Sequence, residues 1–396
     1  MPAGLYLDAC ATTPPAPVAV EAMAAVHRDA WANPSSLHGA GLQAADVLER
    51  ARQQVGSLLG CRQGRIVFTS GGTESIHLAL LGSAPAIEAR HRTRRLLISA
   101  VEHPACLAAA RQLEQRGWQV EKIPVNRQGL LNLAALEALL EPPTRLVSVI
   151  WGQSEVGSMQ PIRAIGELCR QCDVPLHVDA VQVLGHGRIR FDELPVDLLS
   201  GSAHKHQGPR GVGLLLVAAK RPLEPLIGGG AQEGGLRAGT EPVALVAGLA
   251  AALQQAVDRL TPAGVDPTAA VRDQLLEATL SLPGIRLSGP DPRLDPWTRL
   301  PHHLSLVVST ASGTPLNGRD LVRELDRQGL WTSSGTACSS RGSGASPLLL
   351  ALGYSPREAA SGLRLSLGPW ITAADLNRVP QALMEAVRRV EWSVTQ

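Results

Sequence analysis

The chain has 396 residues, of which 44% are hydrophobic and 18% charged, and its formal net charge is +2. This length accommodates two or three domains, or one large domain with a smaller companion. The near-neutral charge argues against binding of nucleic acid or of a membrane surface. No apolar run approaches the ~20 residues of a membrane span, and residues 1–8 lack the features of a signal peptide.

The six cysteines are irregularly spaced, which does not fit a secreted disulfide framework in a chain of this length. Cys169-x-x-Cys172 falls on a predicted helix, with no second cysteine pair or suitably spaced histidine, and therefore does not predict a metal or redox site. We expect a reducing compartment and a cytoplasmic location.

Short apolar runs alternate with helical patterns through the first two-thirds of the chain, which is typical of an α/β domain with a mostly parallel sheet. Gly211–Val217 is a further strand, for which an antiparallel partner is possible. A glycine-rich stretch at 228–235 and a hinge-like segment at 262–266 precede a region of mixed helices and strands. We therefore predict a large α/β domain at 16–262 and a small α+β domain at 263–396, with segment 1–15 packing on the small domain. The other predicted strands are Ile66–Ser70, Leu96–Ala100, Trp118–Ile123, Leu146–Ile150, Pro175–Asp179, Val196–Ser200, Ile285–Leu287, His303–Val308 and Gly362–Ser366.

Polar residues follow five strands of the predicted large domain, at the point where each strand ends. Because the carboxyl ends of parallel strands form one edge of a sheet, where ligands bind, these residues predict a composite site. The clusters are Gly71-Gly72-Thr73-Glu74, Glu102-His103, Gln153-Ser154-Glu155, Asp179 with Gln182, and Ser202-Ala203-His204-Lys205.

Three of these clusters have both a functional and a structural interpretation. Gly71-Gly72-Thr73 offers N–H groups at a helix start to a phosphate, or is an ordinary turn with a threonine N-cap. His103 stacks on a planar ring or moves a proton, or it is structural. Asp179 is a potentially buried carboxylate that a pyridinium nitrogen would satisfy, or it caps the next helix.

Lysines are scarce, since Lys122, Lys205 and Lys220 are the only three in the sequence. Lys205 lies between two histidines at the predicted sheet edge, and cationic neighbours or a dry pocket lower the pKa of an amine, as Schiff-base chemistry requires. A surface lysine is the alternative. Cys338 lies in a small, polar, glycine-rich stretch at 332–346, which predicts an accessible thiol.

Together these residues resemble the cysteine desulfurases, pyridoxal-5'-phosphate (PLP) enzymes of the class V aminotransferase superfamily with the type I fold. The resemblance runs nearly end to end and is to the longer-loop branch, in which Ser-Ser-Gly-x-Ala-Cys precedes a flexible stretch. It implies a mostly parallel mixed sheet in the large domain. The motifs that carry it are Tyr6-Leu-Asp-Ala-Cys-Ala-Thr-Thr-Pro14, Asn33-Pro-Ser-Ser-Leu-His38, Phe68-Thr-Ser-Gly-Gly-Thr-Glu74, Glu102-His103, His177-Val-Asp-Ala-Val-Gln182, His204-Lys205, Leu236-Arg-Ala-Gly-Thr240, Ser334-Gly-Thr-Ala-Cys338 and Leu363-Arg-Leu-Ser-Leu-Gly368.

The resemblance implies PLP as cofactor. Lys205 would carry it as a Schiff base and later move protons, while His103 stacks on the ring and acts in acid–base steps. Asp179 would pair with the ring nitrogen, which preserves the electron sink, and Gln182 would bond the ring hydroxyl. The phosphate ligands implied are Gly72, Thr73, Ser202 and His204, with Thr240 from the neighbouring subunit of a homodimer.

The resemblance further implies that Asn33 and Arg364 bind the carboxylate of L-cysteine, the guanidinium as a bidentate fork. Cys338 would attack the substrate sulfur, which leaves an enzyme persulfide and alanine, and a sulfur acceptor or Fe–S scaffold protein would be the partner. One departure is that Gln153-Ser154-Glu155 stands where the family usually has Asn-Asn-Glu. Since Ser154 is shorter, we expect an effect on substrate preference or rate.

Other functions fit the same scaffold. A selenocysteine lyase or cysteine C–S lyase is the main alternative, and a class V aminotransferase is another. Neither a C–S lyase nor an aminotransferase needs a loop thiol, so Cys338 counts against both. A catalytically weak scaffold that docks Fe–S assembly partners is disfavoured by the intact set of Lys205, Asp179, His103 and Cys338.

Overall fold

The computed structural model describes residues 4–335 and 344–395, with side chains up to residue 392. Its strands are β1 (Leu5–Tyr6), β2 (Arg65–Thr69), β3 (Arg95–Ser99), β4 (Gln119–Ile123), β5 (Thr144–Ile150), β6 (Leu176–Asp179), β7 (Leu198–Ser202), β8 (Gly213–Val217), β9 (Ile285–Leu287), β10 (His303–Val308), β11 (Leu330–Trp331) and β12 (Gly362–Ser366). Among the described residues the largest sheet has seven strands in the order β2-β8-β7-β6-β5-β3-β4. Strand β8 is antiparallel to both neighbours and the remaining pairs are parallel. The predicted α/β fold with a mostly parallel mixed sheet is confirmed.

Most predicted strands agree with the structure to within two residues at each end. The largest shift concerns the strand predicted at Val196–Ser200, which begins at Leu198 and continues to Ser202. The extension follows from pairing with β8, because Gly201 lies opposite Leu214 and Ser202 opposite Gly213. The polar Ser202 is therefore part of a strand, and it is fully enclosed at the end of the sheet.

Alternate residues of the strands face opposite sides of this sheet, and both sides are covered by helices. Leu97 of β3 belongs to the main core, whereas its neighbours Leu96 and Ile98 pack in a second core on the other face. This two-sided burial explains why the strands read as continuous apolar runs. The helices are α1 (Pro17–Asp29), α2 (Gly39–Leu59), α3 (Gly72–Glu88), α4 (Pro104–Gln115), α5 (Leu133–Leu139), α6 (Ile162–Gln171), α7 (Val243–Asp258), α8 (Thr268–Leu280), α9 (Gly318–Arg327), α10 (Pro347–Ala351), α11 (Pro356–Ala360), α12 (Ala373–Leu376) and α13 (Val379–Thr395).

A histidine bridges the three central parallel strands inside the core. His177 of β6 is fully buried, and its Nδ1 lies 2.8 Å from Ser148 Oγ of β5 while its Nε2 lies 2.9 Å from Ser200 Oγ of β7. Burial lowers the pKa of His177 to about 3, so the ring is neutral at neutral pH. Both ring nitrogens are thus satisfied by serine hydroxyls.

The C-terminal part of the chain forms a separate antiparallel sheet in the order β12-β10-β9, with a core of its own. The N-terminal segment connects to it, because β1 pairs in parallel with β11 and Asp8 bridges to Ser366. The same segment also reaches the large sheet, where the N–H of Thr13 donates to the carbonyl of His204 at 3.0 Å. The domain bounds of 16–262 and 263–396 stay a prediction. No helix within the described residues is both long and apolar enough to cross a membrane.

Candidate active site

A cavity of about 220 Å³ opens where the parallel strands β5, β6 and β7 end. Most of the polar residues predicted for this edge meet there. Three apolar residues, Ile76, Ile150 and Val181, also line the cavity. The sequence did not identify them as site residues, because an isoleucine or valine beside a polar cluster does not indicate a binding site. The lining residues are Gly72, Thr73, Ile76, His103, Ile150, Ser154, Asp179, Val181, Gln182, Ser202, His204 and Lys205.

The N-terminus of α3 forms one end of this cavity. Gly71 precedes the helix with φ 154°, a backbone conformation that glycine favours. A Cβ on Gly72 would lie 2.6 Å from Val181 Cγ2, so only glycine lets the helix approach the strand ends this closely. The first N–H groups of a helix have no intrahelical partner and carry its positive dipole end, which suits an anion.

Asp179 ends β6 and is 3% exposed. Its Oδ1 accepts from the N–H of Val181 at 3.0 Å in the turn that follows the strand. No helix begins between Asp179 and Phe191, so Asp179 does not have the helix-capping role that was the alternative for it. Within residues 4–335 and 344–392, Asp179 forms no salt bridge. Burial raises its pKa to about 6, and a cationic partner in the cavity would restore the charged form.

Lys205 reaches the cavity from a short turn, Ala203–Lys205, that follows β7. Its Nζ donates to the carbonyl oxygens of Cys10 at 2.6 Å and Ala11 at 2.8 Å. The amine is largely buried, and burial lowers its pKa below the ordinary lysine value. The resulting amine is closer to its neutral, nucleophilic form than an exposed lysine is.

His103 lies at the N-cap of α4, where its Nδ1 accepts from the N–H of Ala105 at 3.1 Å. Burial lowers the pKa of the ring, and the nearby charge of Lys205 lowers it further. A neutral ring whose Nδ1 accepts carries its proton on Nε2. His103 is therefore both a structural cap and a donor facing the cavity.

Glu102, next to His103, fixes the loop that carries this ring. Its Oε1 accepts from Ser99 Oγ at 2.5 Å and from the N–H of Ile150 at 2.7 Å, which ties the end of β3 to the end of β5. Its side chain is buried, and burial raises its pKa to about 8. A neutral carboxyl is expected here at neutral pH.

Gln182 and His204 complete the polar lining. Gln182 Nε2 donates to the carbonyl of Cys10 at 2.9 Å, whereas its Oε1 is buried and has no partner among the described residues. His204 Nδ1 lies 3.1 Å from Thr12 Oγ1, and burial lowers its pKa to about 4. His204 is thus a neutral hydrogen-bonding group.

Ser154 is held at the cavity through its backbone. Its carbonyl oxygen accepts from Arg364 Nη1 and from His303 Nε2, each at 3.0 Å. Arg364 is buried in β12, and its Nη2 donates to Asp8 Oδ1 at 2.6 Å. Gln153 turns away, because its Oε1 accepts from the N–H groups of Glu155 and Val156.

Two predicted site residues, Asn33 and Thr240, are not part of this arrangement. Asn33 is exposed and its Oδ1 accepts from the N–H of Ser35, while Thr240 is exposed beyond the glycine-rich stretch. Cys338 lies outside the described residues.

Three residues at the site were missed by sequence reasoning as site residues: Asp8, Cys10 and His303. Cys10 Sγ lies 3.3 Å from His302 Nε2, and its carbonyl holds Lys205 and Gln182. The motif at residues 6–14 was the available signal for Asp8 and Cys10. Nothing comparable marks His303, which lies in an ordinary apolar strand.

The family model described as aminotransferase class-V matches residues 5–379. A cysteine desulfurase of Cereibacter sphaeroides is 38% identical over 384 residues, which are 96% of this chain and 94% of that protein. The cysteine desulfurase IscS of Dictyoglomus turgidum is 33% identical over 401 residues, covering 99% of this chain and 98% of that protein.

Solved structures agree with this assignment. A NifS-like protein superposes with a TM-score of 0.86 at 31% identity, covering 98% of this chain and 100% of the other. SspA in complex with cysteine superposes with a TM-score of 0.78 at 30% identity, covering 93% and 99%. The chain therefore belongs to the class-V aminotransferase family and, within it, to the cysteine desulfurases.

Proposed function

We propose that this cysteine desulfurase uses PLP to move the sulfur of L-cysteine onto Cys338 and release L-alanine. The observation that carries the proposal is the convergence of Lys205, Asp179 and His103 on one small cavity at the sheet edge. A pyridine ring with an aldehyde would interact with all three groups. These are a buried amine, a buried carboxylate without a cationic salt-bridge partner in the described chain, and a neutral imidazole.

The residues present fit the cofactor. Asp179 would pair with the ring nitrogen, which removes the cost of an isolated buried carboxylate. Gln182 would meet the ring hydroxyl, since its buried Oε1 has no partner in the described part of the chain. His103 would stack on the ring, and Lys205 would hold the cofactor covalently. The proposed phosphate ligands are Gly72, Thr73, Ser202 and His204, at the N-terminus of α3 and the ends of the adjoining strands.

When bound, PLP supplies an electron sink for the bonds around the substrate Cα. Lys205 has two proposed roles. It first offers a largely buried amine as nucleophile, and afterwards Nζ is free to take a proton from, or return one to, the substrate carbon. The carbonyls of Cys10 and Ala11 hold that amine close to the cavity.

His103 is positioned to move a second proton. Its neutral ring donates through Nε2, while Nδ1 is occupied by the N–H of Ala105. We therefore assign to His103 the role of a proton donor rather than a fixed cation.

Arg364 and Asn33 are proposed to bind the substrate carboxylate. The buried guanidinium is tied to Ser154, which lines the cavity, so the cation lies beside the space for the substrate. Asn33 is exposed in the single chain. Its participation would require a rearrangement or a neighbouring subunit.

Cys338 is proposed as the sulfur acceptor. Its thiolate would bond to the substrate sulfur as the carbon–sulfur bond breaks, so that sulfur stays on the enzyme as a persulfide and the carbon skeleton leaves as alanine. Ser333 is hydrogen-bonded through its backbone to Arg364, and Cys338 follows five residues later. Five residues span at most roughly 18 Å, so the length of chain after Ser333 is compatible with this role.

The persulfide would then pass to a sulfur acceptor or an Fe–S scaffold protein. We also propose a homodimer in which Thr240 reaches the phosphate of the neighbouring subunit. The exposed Thr240 and the exposed apolar side chains of Trp31 and Leu37 support this arrangement. A cytoplasmic location suits an enzyme that works through a free thiol.

The decisive test is incubation of the purified protein with L-cysteine and a thiol reductant, with alanine, sulfide and pyruvate measured together. Alanine and sulfide in equal amounts support the proposal. Pyruvate with sulfide would instead identify a C–S lyase. If alanine, sulfide and pyruvate are all absent, the protein does not turn over cysteine.

A further inference from the structure

The buried guanidinium of Arg364 already has an anionic partner within the chain. Its Nη2 donates to Asp8 Oδ1 at 2.6 Å, and its Nη1 donates to the carbonyl of Ser154 at 3.0 Å. The side chain of Arg364 is 6% exposed and that of Asp8 is 21% exposed. Nε is buried and has no hydrogen-bond partner in the described residues.

The position of Asp8 does not depend on this ion pair. The N–H of Ser366 donates to the carbonyl of Leu7 at 2.8 Å, and the N–H of Ala9 donates to the carbonyl of Ser366 at 3.1 Å. These two bonds fix the backbone on both sides of Asp8 against the strand that carries Arg364. The backbone of Asp8 therefore stays beside the strand of Arg364 whether or not another anion is present, and the carboxylate remains available to the guanidinium.

A substrate carboxylate that binds to Arg364 would lie next to the carboxylate of Asp8. A bidentate hold on a carboxylate needs two neighbouring N–H groups of the guanidinium. Nε is the free group, and the group that forms a fork with it is Nη2, which Asp8 engages. A substrate carboxylate must therefore share this nitrogen with Asp8 or displace it, and two like charges around one cation oppose each other.

We propose that Asp8 is an affinity-setting residue, an internal counterion that competes with the carboxylate of the amino-acid substrate for Arg364. The proposal rests on the proposed role of Arg364 in substrate binding. In the free enzyme Asp8 neutralises a buried cation that would otherwise be unpaired, which stabilises the site. At the same time it weakens the binding of any α-carboxylate, which lowers the affinity for cysteine and favours the release of alanine.

The test is Asp8→Asn, which keeps the size of the side chain and an acceptor oxygen for Nη2 but removes the negative charge. We expect KM for L-cysteine to fall by roughly tenfold, with a smaller change in kcat. The Kd of L-alanine, measured calorimetrically on the cofactor-loaded enzyme, should fall by a similar factor. Cysteamine, which has the thiol and amine of cysteine but no carboxylate, is the control ligand. Its Kd should be the same for Asp8→Asn and the wild type.

A double-mutant cycle identifies the cation involved. In an Arg364→Gln background the effect of Asp8→Asn on the Kd of L-alanine should disappear. A rise in KM and Kd would mean that Asp8 only orients Arg364, and it would overturn the proposal, as would an equal change for cysteamine. Asp8→Ser serves as a second charge-removing variant if Asp8→Asn does not load cofactor. Because the L-alanine measurement needs no turnover, it remains decisive even if the wild type makes no alanine from cysteine.

Discussion

Nζ of Lys205 lies 2.6 Å from the carbonyl oxygen of Cys10, so the proposed cofactor lysine is in contact with a residue almost two hundred positions away in sequence. That carbonyl also accepts from Gln182, at 2.9 Å. One peptide group of the N-terminal segment therefore holds two of the residues proposed to bind PLP. The segment is an integral part of the site.

The first prediction concerns the attachment of the cofactor. The purified protein should be yellow, and borohydride reduction should fix the cofactor to Lys205, because this amine is buried beside the cavity. Peptide mapping by mass spectrometry locates the label. Lys205→Ala should abolish turnover, whereas Lys220→Ala, which changes an exposed lysine, should not. A label on Lys122 or Lys220 would show that the site is misassigned.

The second prediction concerns Ser154. Ser154→Asn restores the longer side chain that the family usually has, and Gln153 cannot replace it because its Oε1 is bound to the backbone. One hydrogen bond to a charged group contributes roughly 1.5–3 kcal/mol, which corresponds to a change of about tenfold or more in kcat/KM for L-cysteine. Ser154→Ala, which keeps the carbonyl bonded to Arg364, is the matched control. Equal kinetics for Ser154→Asn and the wild type would contradict this prediction.

The third prediction separates substrate activation from sulfur transfer. Cys338→Ser should still bind PLP and still change its absorption spectrum when L-cysteine is added, because the groups of the cavity are intact. It should form no protein persulfide and release little alanine, as measured by thiol-labelling mass spectrometry and amino-acid analysis. The other five cysteines serve as internal controls, and Cys61, Cys106 and Cys169 are buried. Sulfide release at the wild-type rate, with pyruvate, would contradict the desulfurase mechanism.

The fourth prediction concerns the dimer. Sedimentation should show a homodimer at assay concentrations, and Thr240→Val should weaken retention of PLP because it removes a hydroxyl at unchanged size. Mixing Thr240→Val with Lys205→Ala chains should give hybrid dimers in which one of the two sites keeps both residues, with partial recovery of activity. A fully active monomer would argue against any contribution from a neighbouring subunit.

The fifth prediction is a loss of stability in mild acid. His206 is buried with neither ring nitrogen hydrogen-bonded in the described structure, and burial lowers its pKa to about 3. The unfolded chain takes up a proton near pH 6.5 and the folded chain does not, so stability falls as pH drops below that value. Between pH 7 and pH 5 this one group should cost about 2 kcal/mol. Denaturant unfolding should show a smaller loss in His206→Leu, whereas His27→Leu, on an exposed part of α1, should behave like the wild type.

Sequence reasoning predicted the elements of this fold well where local pattern decides. The strand His303–Val308 was predicted at its observed bounds, because its run of apolar residues is buried from end to end. Local pattern decides less at helix α3, which continues to Glu88 through Pro85, a residue that disfavours a helix interior. Its buried face extends through Ala84, and this packing outweighs the local cost of proline.

The part of the site that depends on long-range contacts could not be predicted in the same way. Asp8 and Arg364 lie 356 positions apart, and they meet because Asp8 bridges to Ser366 of β12, next to the two-residue pair of strands β1 and β11. Strands this short carry no detectable periodicity. The contact of Cys10 with His302 is equally non-local, since the two residues are 292 positions apart.

The bridge from Ser148 through His177 to Ser200 has a consequence for how the sheet assembles. Runs of valine, leucine and isoleucine buried on both faces specify strand alignment weakly, because one apolar neighbour replaces another at little cost. A slip of β6 by one residue would turn this imidazole to the opposite face and leave two hydroxyls unsatisfied in the core. It would also turn Asp179, two positions further along the same strand, away from the cavity. The polar bridge therefore selects against misaligned sheets, and the alignment that it enforces is the one that brings the carboxylate of Asp179 to the cavity.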